Sequence, residues 1–153
     1  MAHELDTARL LAKADRRKPS QSHLKRALSA VYYTLFDALA RQAADSLVGK
    51  GTKRKLDAWR RIYRTIEHGR AREVLKRVSR ESGWSPHAQR FAHEFVRAQE
   101  LRHMADYDPG TSFTRQEVVA AIANAESAVK ALERLGDDER LELVTRCLCR
   151  ERP

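Results

Sequence analysis

The chain has 153 residues, 42% hydrophobic and 33% charged, with 30 Lys and Arg against 21 Asp and Glu for a net charge of +9. That is enough apolar material for a single domain spanning residues 1–153 with its own core, and it excludes a disordered basic tail. No run of about 18 apolar residues occurs and the start Met-Ala-His-Glu-Leu-Asp lacks the basic-then-apolar order of a secretory signal, so a cytoplasmic protein without membrane spans is expected.

Ala and Leu total 38 residues against 12 Val and Ile, so intrinsic propensity favours helix almost throughout. A first helix is expected over about Leu5 to Arg16, stopped by Lys18-Pro19. Ser20 then caps a long second helix reaching about Leu47, with a core stripe of Leu24, Leu28, Val31, Leu35 and Leu39. A neighbouring arc of Tyr32, Phe36, Ala40 and Ala43 is also apolar. A helix with so wide an apolar surface should pack on several neighbours or on a second subunit.

Leu56, Trp59, Tyr63 and Ile66 set a third helix that Gly69 should end or bend before Val74, Leu75 and Val78. After a Gly83-Trp84 turn, Ser85 with Pro86 opens a fourth helix to about Tyr107, stopped by Asp108-Pro109-Gly110. Thr114-Arg115-Gln116-Glu117 is a capping box with Phe113 placed to staple onto Val118. The fifth helix it opens should end at Gly136, and a short sixth runs from about Asp138 to Cys147. The expected fold is all-α: an antiparallel up-and-down bundle of four main helices with short helices at the termini.

The charge is local. Between Lys50 and Arg80 twelve basic residues face three acidic ones, so this window carries the whole +9. Such a field attracts polyanions and displaces their counterions, which marks Lys53, Arg54, Arg60, Arg61, Arg64 and His68 as candidate nucleic-acid contacts. A solvated basic face without a partner is the plainer reading.

On a helical wheel of the fourth helix, Phe91, Phe95, Ala98 and Ala105 form one stripe, and Arg102 falls inside it at about 20° from Phe91. Asp106 lies one turn on, beside it. A guanidinium there needs a partner or a cleft, which gives either an ion pair between helices or an anion site. His103 and Tyr107 run along one flank of the same helix end, where an imidazole could act as general base on an RNA 2′-hydroxyl. Cys147 and Cys149 are two thiols without the ligands to complete a zinc site. No phosphate loop, nucleophile elbow, paired-histidine zinc motif or acidic two-metal cluster occurs, so no metal or cofactor is expected.

Three blocks carry a family likeness. His23-Leu-Lys-Arg-Ala-Leu-Ser-Ala-Val-Tyr-Tyr-Thr-Leu-Phe36, Trp59-Arg-Arg-Ile-Tyr-Arg-Thr-Ile-Glu-His68 and Arg102-His-Met-Ala-Asp-Tyr-Asp-Pro109 resemble small bacterial HEPN-domain proteins over about residues 20–135. The resemblance implies a homodimeric bundle, often encoded beside a small nucleotidyltransferase in toxin–antitoxin or defence loci. Active members cut RNA without a metal, through an arginine and a nearby histidine in a cleft shared by two subunits. Carried onto this chain, the catalytic set would be Arg102, His103, Asp106 and Tyr107. Counting five on from Arg102 reaches Tyr107, where the ribonuclease motif has its histidine. Arg97 to His103 matches the motif spacing, but Arg97 lies about 140° from Arg102 on the wheel.

Three functions are therefore open. The first is an RNA-cleaving toxin or defence effector. The second is a non-catalytic module that binds nucleic acid, a nucleotide or a nucleotidyltransferase partner, and the third is a structural helical adaptor.

Overall fold

A computed structural model of the protein describes residues 2–14, 18 and 20–153. The described residues form seven α-helices and one 3₁₀ turn, with no strand. They are α1 (Ala2–Lys13), α2 (Gln21–Leu47), the 3₁₀ turn (Gly51–Lys55), α3 (Asp57–Tyr63), α4 (His68–Val78), α5 (Pro86–Tyr107), α6 (Arg115–Glu133) and α7 (Asp137–Leu148). No helix is long and apolar enough to cross a membrane among the described residues.

α2 is the axis of the fold. Its expected stripe of Leu24, Leu28, Val31, Leu35 and Leu39 is buried, and so are Tyr32, Ala40 and Ala43 of the second arc, with Phe36 half-buried. Each buried Leu or Val contributes about 1.5–3 kcal/mol relative to exposure. The wide apolar surface is covered within the chain itself, because α2 packs on α1, α3, α5, α6 and α7. Ser29 lies against Asp106 and Tyr32 against Gln99, so α2 and α5 run antiparallel.

The helix starts follow the local chemistry. Ser85 accepts from the Ala88 N–H at 3.2 Å with Pro86 behind it, and its own N–H and hydroxyl go to Glu139 at the start of α7. Thr114 and Glu117 make both bonds of the capping box, and Phe113 and Val118 are buried in the common core. The Gln21 amide exchanges two 2.8 Å hydrogen bonds with the Phe113 backbone, closing the loop before α6 onto the start of α2. Gly83, at φ +96°, supplies the left-handed turn between α4 and α5.

Three boundaries differ from expectation. α1 ends at Lys13, while Arg16 and Pro19 of its expected terminus lie outside the described residues. The third helix is two helices: α3 stops at Tyr63 and α4 begins at His68, so Gly69 sits in the first turn of a helix and ends nothing. The chain breaks earlier because Ile66 is drawn into the core. The Thr65 hydroxyl bonds back to the Arg61 carbonyl, and Glu67 is extended. Gly136 is likewise no left-handed terminator: α6 closes at Arg134, and Gly136, at φ −63°, stands at the N-cap of α7.

Candidate functional site

Arg102 leaves α5 toward α2, as its place on the aromatic stripe requires. Its Cζ lies 5.2 Å from the Tyr32 ring centroid and 4.9 Å from that of Tyr33, a cation–π seat formed by consecutive α2 residues. Nε is 3.2 Å from Asp106 Oδ2, within ion-pair distance but not aligned as a hydrogen bond. Asp106 Oδ1 accepts from Ser29 Oγ at 3.1 Å, which ties this carboxylate to α2. The Arg102 side chain is 26% exposed and its guanidinium donates no aligned hydrogen bond to any described residue.

The break before α4 brings His68 to the same place. Its ring stacks on Phe36, with centroids 4.0 Å apart and planes 21° apart, and meets the Tyr33 ring edge-on. Nδ1 is 2.5 Å from the hydroxyl of Tyr32. Burial, and then the positive charge of Arg102, hold the imidazole below its ordinary pKa. Burial pushes Tyr32 up to about 12, with Arg102 pulling the other way. At neutral pH both rings are therefore uncharged beside a charged guanidinium.

The four residues expected to share one cleft form two pairs. Arg102 and Asp106 face α2. His103 and Tyr107 are exposed on another flank, their rings 4.9 Å apart, and Tyr107 is 70% exposed. His68, expected among the docking residues, joins Arg102. Tyr32, Tyr33, Phe36, Gln99 and Arg72 complete the cluster. The Tyr-Tyr pair was the available signal: consecutive helical residues point about 100° apart, so one tyrosine must be buried and the other edge outward.

The basic window is divided by the fold. On α4, Arg72 pairs with Glu100, Arg70 and Arg77 with Glu73, and neighbouring Glu67 and Glu81 take Arg150 and Arg146. In the 3₁₀ turn, Arg54 donates to both oxygens of Asp45 at 2.9 and 2.7 Å, and Trp59 Nε1 adds a third bond at 3.0 Å. Burial raises the Asp45 pKa, but these bonds and the charges of Arg54 and Lys50 outweigh it and leave the carboxyl below its ordinary value. Arg60 pairs with Asp57 one turn back. Lys53, Arg61 and Arg64 are exposed, without an acidic partner among the described residues.

Cys147 is buried and Cys149 exposed, both as free thiols, and burial pushes Cys147 up to about 12. No group of three or more His, Cys, Asp or Glu among the described residues could hold a metal ion. Compared with models of protein families, with curated proteins and with solved structures, the chain matches none.

Proposed function

We propose that the chain is a HEPN-type up-and-down bundle that binds RNA, with Arg102 and His68 contacting a phosphate and Lys53, Arg61 and Arg64 supplying the longer-range attraction. One observation carries this reading. Arg102 is held in place by two tyrosine rings and one carboxylate, with Nε buried on the Asp106 side, and its two terminal nitrogens make no hydrogen bond to any described residue. A guanidinium fixed by its face and free at its edge is preorganised for an oxyanion, and a phosphate takes two such donors at once. The likeness of the His23–Phe36, Trp59–His68 and Arg102–Pro109 blocks supplies the nucleic-acid context and the expectation of a homodimer or a nucleotidyltransferase partner.

Metal-independent RNA cleavage is the second reading, favoured by the position of His103. Its exposed imidazole stands on the same turn as Arg102, where a second copy of the chain packing on this helix end would gather Arg102, His103, Asp106 and Tyr107.

Fluorescence anisotropy with a labelled single-stranded RNA tests both. The wild type should bind with an affinity that falls steeply with salt. Arg102→Ala should lose roughly ten- to a hundredfold, the worth of a charge-assisted contact. Equal affinity of the two proteins would refute the proposal. If the RNA is also cut, and His103→Ala abolishes cutting while keeping affinity, the module is a ribonuclease; RNA recovered intact leaves recognition alone.

A further inference from the structure

Three helices contribute a line of hydrogen bonds that ends on His68. Arg72 of α4 donates from Nη1 to Gln99 Oε1 at 3.2 Å. Gln99 of α5 donates from Nε2 to the Tyr32 hydroxyl at 3.3 Å, and that hydroxyl lies 2.5 Å from His68 Nδ1.

Each link fixes the direction of the next. A guanidinium has donors and no acceptor, so the Gln99 oxygen must face Arg72 and its NH₂ must face Tyr32. The Tyr32 oxygen thus accepts from Gln99, and its single proton has one acceptor in reach, His68 Nδ1. The opposite assignment, with Nδ1 protonated, would leave the O–H of a fully buried tyrosine without an acceptor. Such a group costs about 1–3 kcal/mol, which is decisive between two tautomers that are close in energy in water.

We propose that Gln99 and Arg72 are positioning residues that lock neutral His68 as the Nε2–H tautomer, so that beside Arg102 the ring offers a donor and not a lone pair. The ligand this selects is one rich in acceptor oxygens, a phosphate above all, since Arg102 and His68 lie against the same two rings, Tyr32 and Tyr33, and both then offer donors only. That part rests on the RNA reading, whereas the tautomer itself is a property of the free protein. One chemical consequence is immediate. The one basic nitrogen of that tautomer, Nδ1, is taken up by the buried Tyr32 hydroxyl, so His68 is not the base for an RNA 2′-hydroxyl and exposed His103 is the histidine left for that role at this helix end.

Nitrogen-15 spectra of histidine-labelled free protein at about pH 8, where ordinary imidazoles are neutral, read the tautomer directly. In the wild type, His68 should show an unprotonated, pyridine-like Nδ1 and a pyrrole-like Nε2. Gln99→Glu removes the donor to Tyr32 and keeps a partner for Arg72. The tyrosine must then donate to the new carboxylate and accept from Nδ1–H, and the two nitrogen signals should exchange character. RNA affinity should fall roughly tenfold with them, as one good hydrogen bond is lost. Tyr32→Phe keeps the packing and cuts the line, so it should give a mixture of tautomers. A wild-type Nε2 that is pyridine-like, or a tautomer unmoved by both variants, would overturn the proposal. Exchanged nitrogen signals in a protein that binds no RNA would uphold the relay and refute the RNA reading alone.

Discussion

A proton added to His68 meets resistance from two sides, the apolar rings of Phe36 and Tyr32 around it and the guanidinium of Arg102. The folded chain therefore takes this proton less readily than the unfolded chain does. Just below the ordinary imidazole pKa of 6.5 the unfolded state binds more protons, so stability falls as the pH falls. The contribution of His68 is complete above about pH 6.5 and is lost as the pH drops through its folded value. Solvent at the exposed ring edge screens part of the effect. Melting curves near pH 7.5 and pH 5.5 should show a wild-type Tm drop that exceeds the drop in His68→Gln by about one or two degrees; equal drops would contradict the assignment. The glutamine can still accept from Tyr32, so the comparison isolates the titration from the hydrogen bond. In the sequence His68 was legible only as the edge of a basic window. Tyr32 lies 36 residues before it, and Gln99, which holds that tyrosine, lies 67 residues after Tyr32, on the other side of His68 in the chain. A helical wheel sees one helix at a time, so it found Arg102 and Asp106, which share α5, and could not find a cluster assembled from three helices.

The helices were most legible where a side chain answers a backbone group within a few residues. Thr114 and Glu117 satisfy each other's N–H, and that pattern is complete in four letters of sequence. Losing the Thr114 oxygen frees one amide of the first turn, at about 1 kcal/mol. Thr114→Ala should lower Tm by about two to four degrees in thermal denaturation, and Thr114→Ser should restore nearly all of it. A Thr114→Ala protein that melts with the wild type would mean that the capping box carries no weight at this junction. The boundary between α3 and α4 was not legible in the same way. Gly69 signals a break by composition, but a glycine with ordinary helical dihedrals interrupts nothing unless tertiary contacts require it. Burial of Ile66 set the break, and burial is decided by neighbours. The shift has a functional weight: a helix continuing unbroken past Tyr63 would have carried His68 around its own axis, away from the Phe36 ring.

Across the whole molecule, the net charge proved a poor guide to where free charge lies. The window from Lys50 to Arg80 holds +9 in the sequence, yet in its second half Arg70, Arg72 and Arg77 are paired with Glu73 and Glu100. Pairing of this kind is an outcome of the fold, and no count of residue types contains it. The first half keeps unpaired cations on α3 and its end, at Arg61 and Arg64, and at Lys53 on the 3₁₀ turn, which has no buried residue and is entered through Gly49 and Gly51 at φ +128° and +63°. The Asp45 clamp on Arg54 and Trp59 is the polar mooring of that turn. Its consequence is one of proteolytic access. Lys50, Lys53 and Lys55 are good sites for trypsin, and a protease needs several residues of extended chain, which the turn provides only when Arg54 lets go. Limited digestion followed by mass spectrometry should find cutting after these three lysines at least about tenfold faster in Asp45→Ala than in the wild type, while the helical circular dichroism stays unchanged. Equal rates would show that the turn opens without releasing the clamp. Faster cutting in the variant would make a carboxylate that sequence reading passed over the group that decides how long the most basic stretch of this protein survives intact.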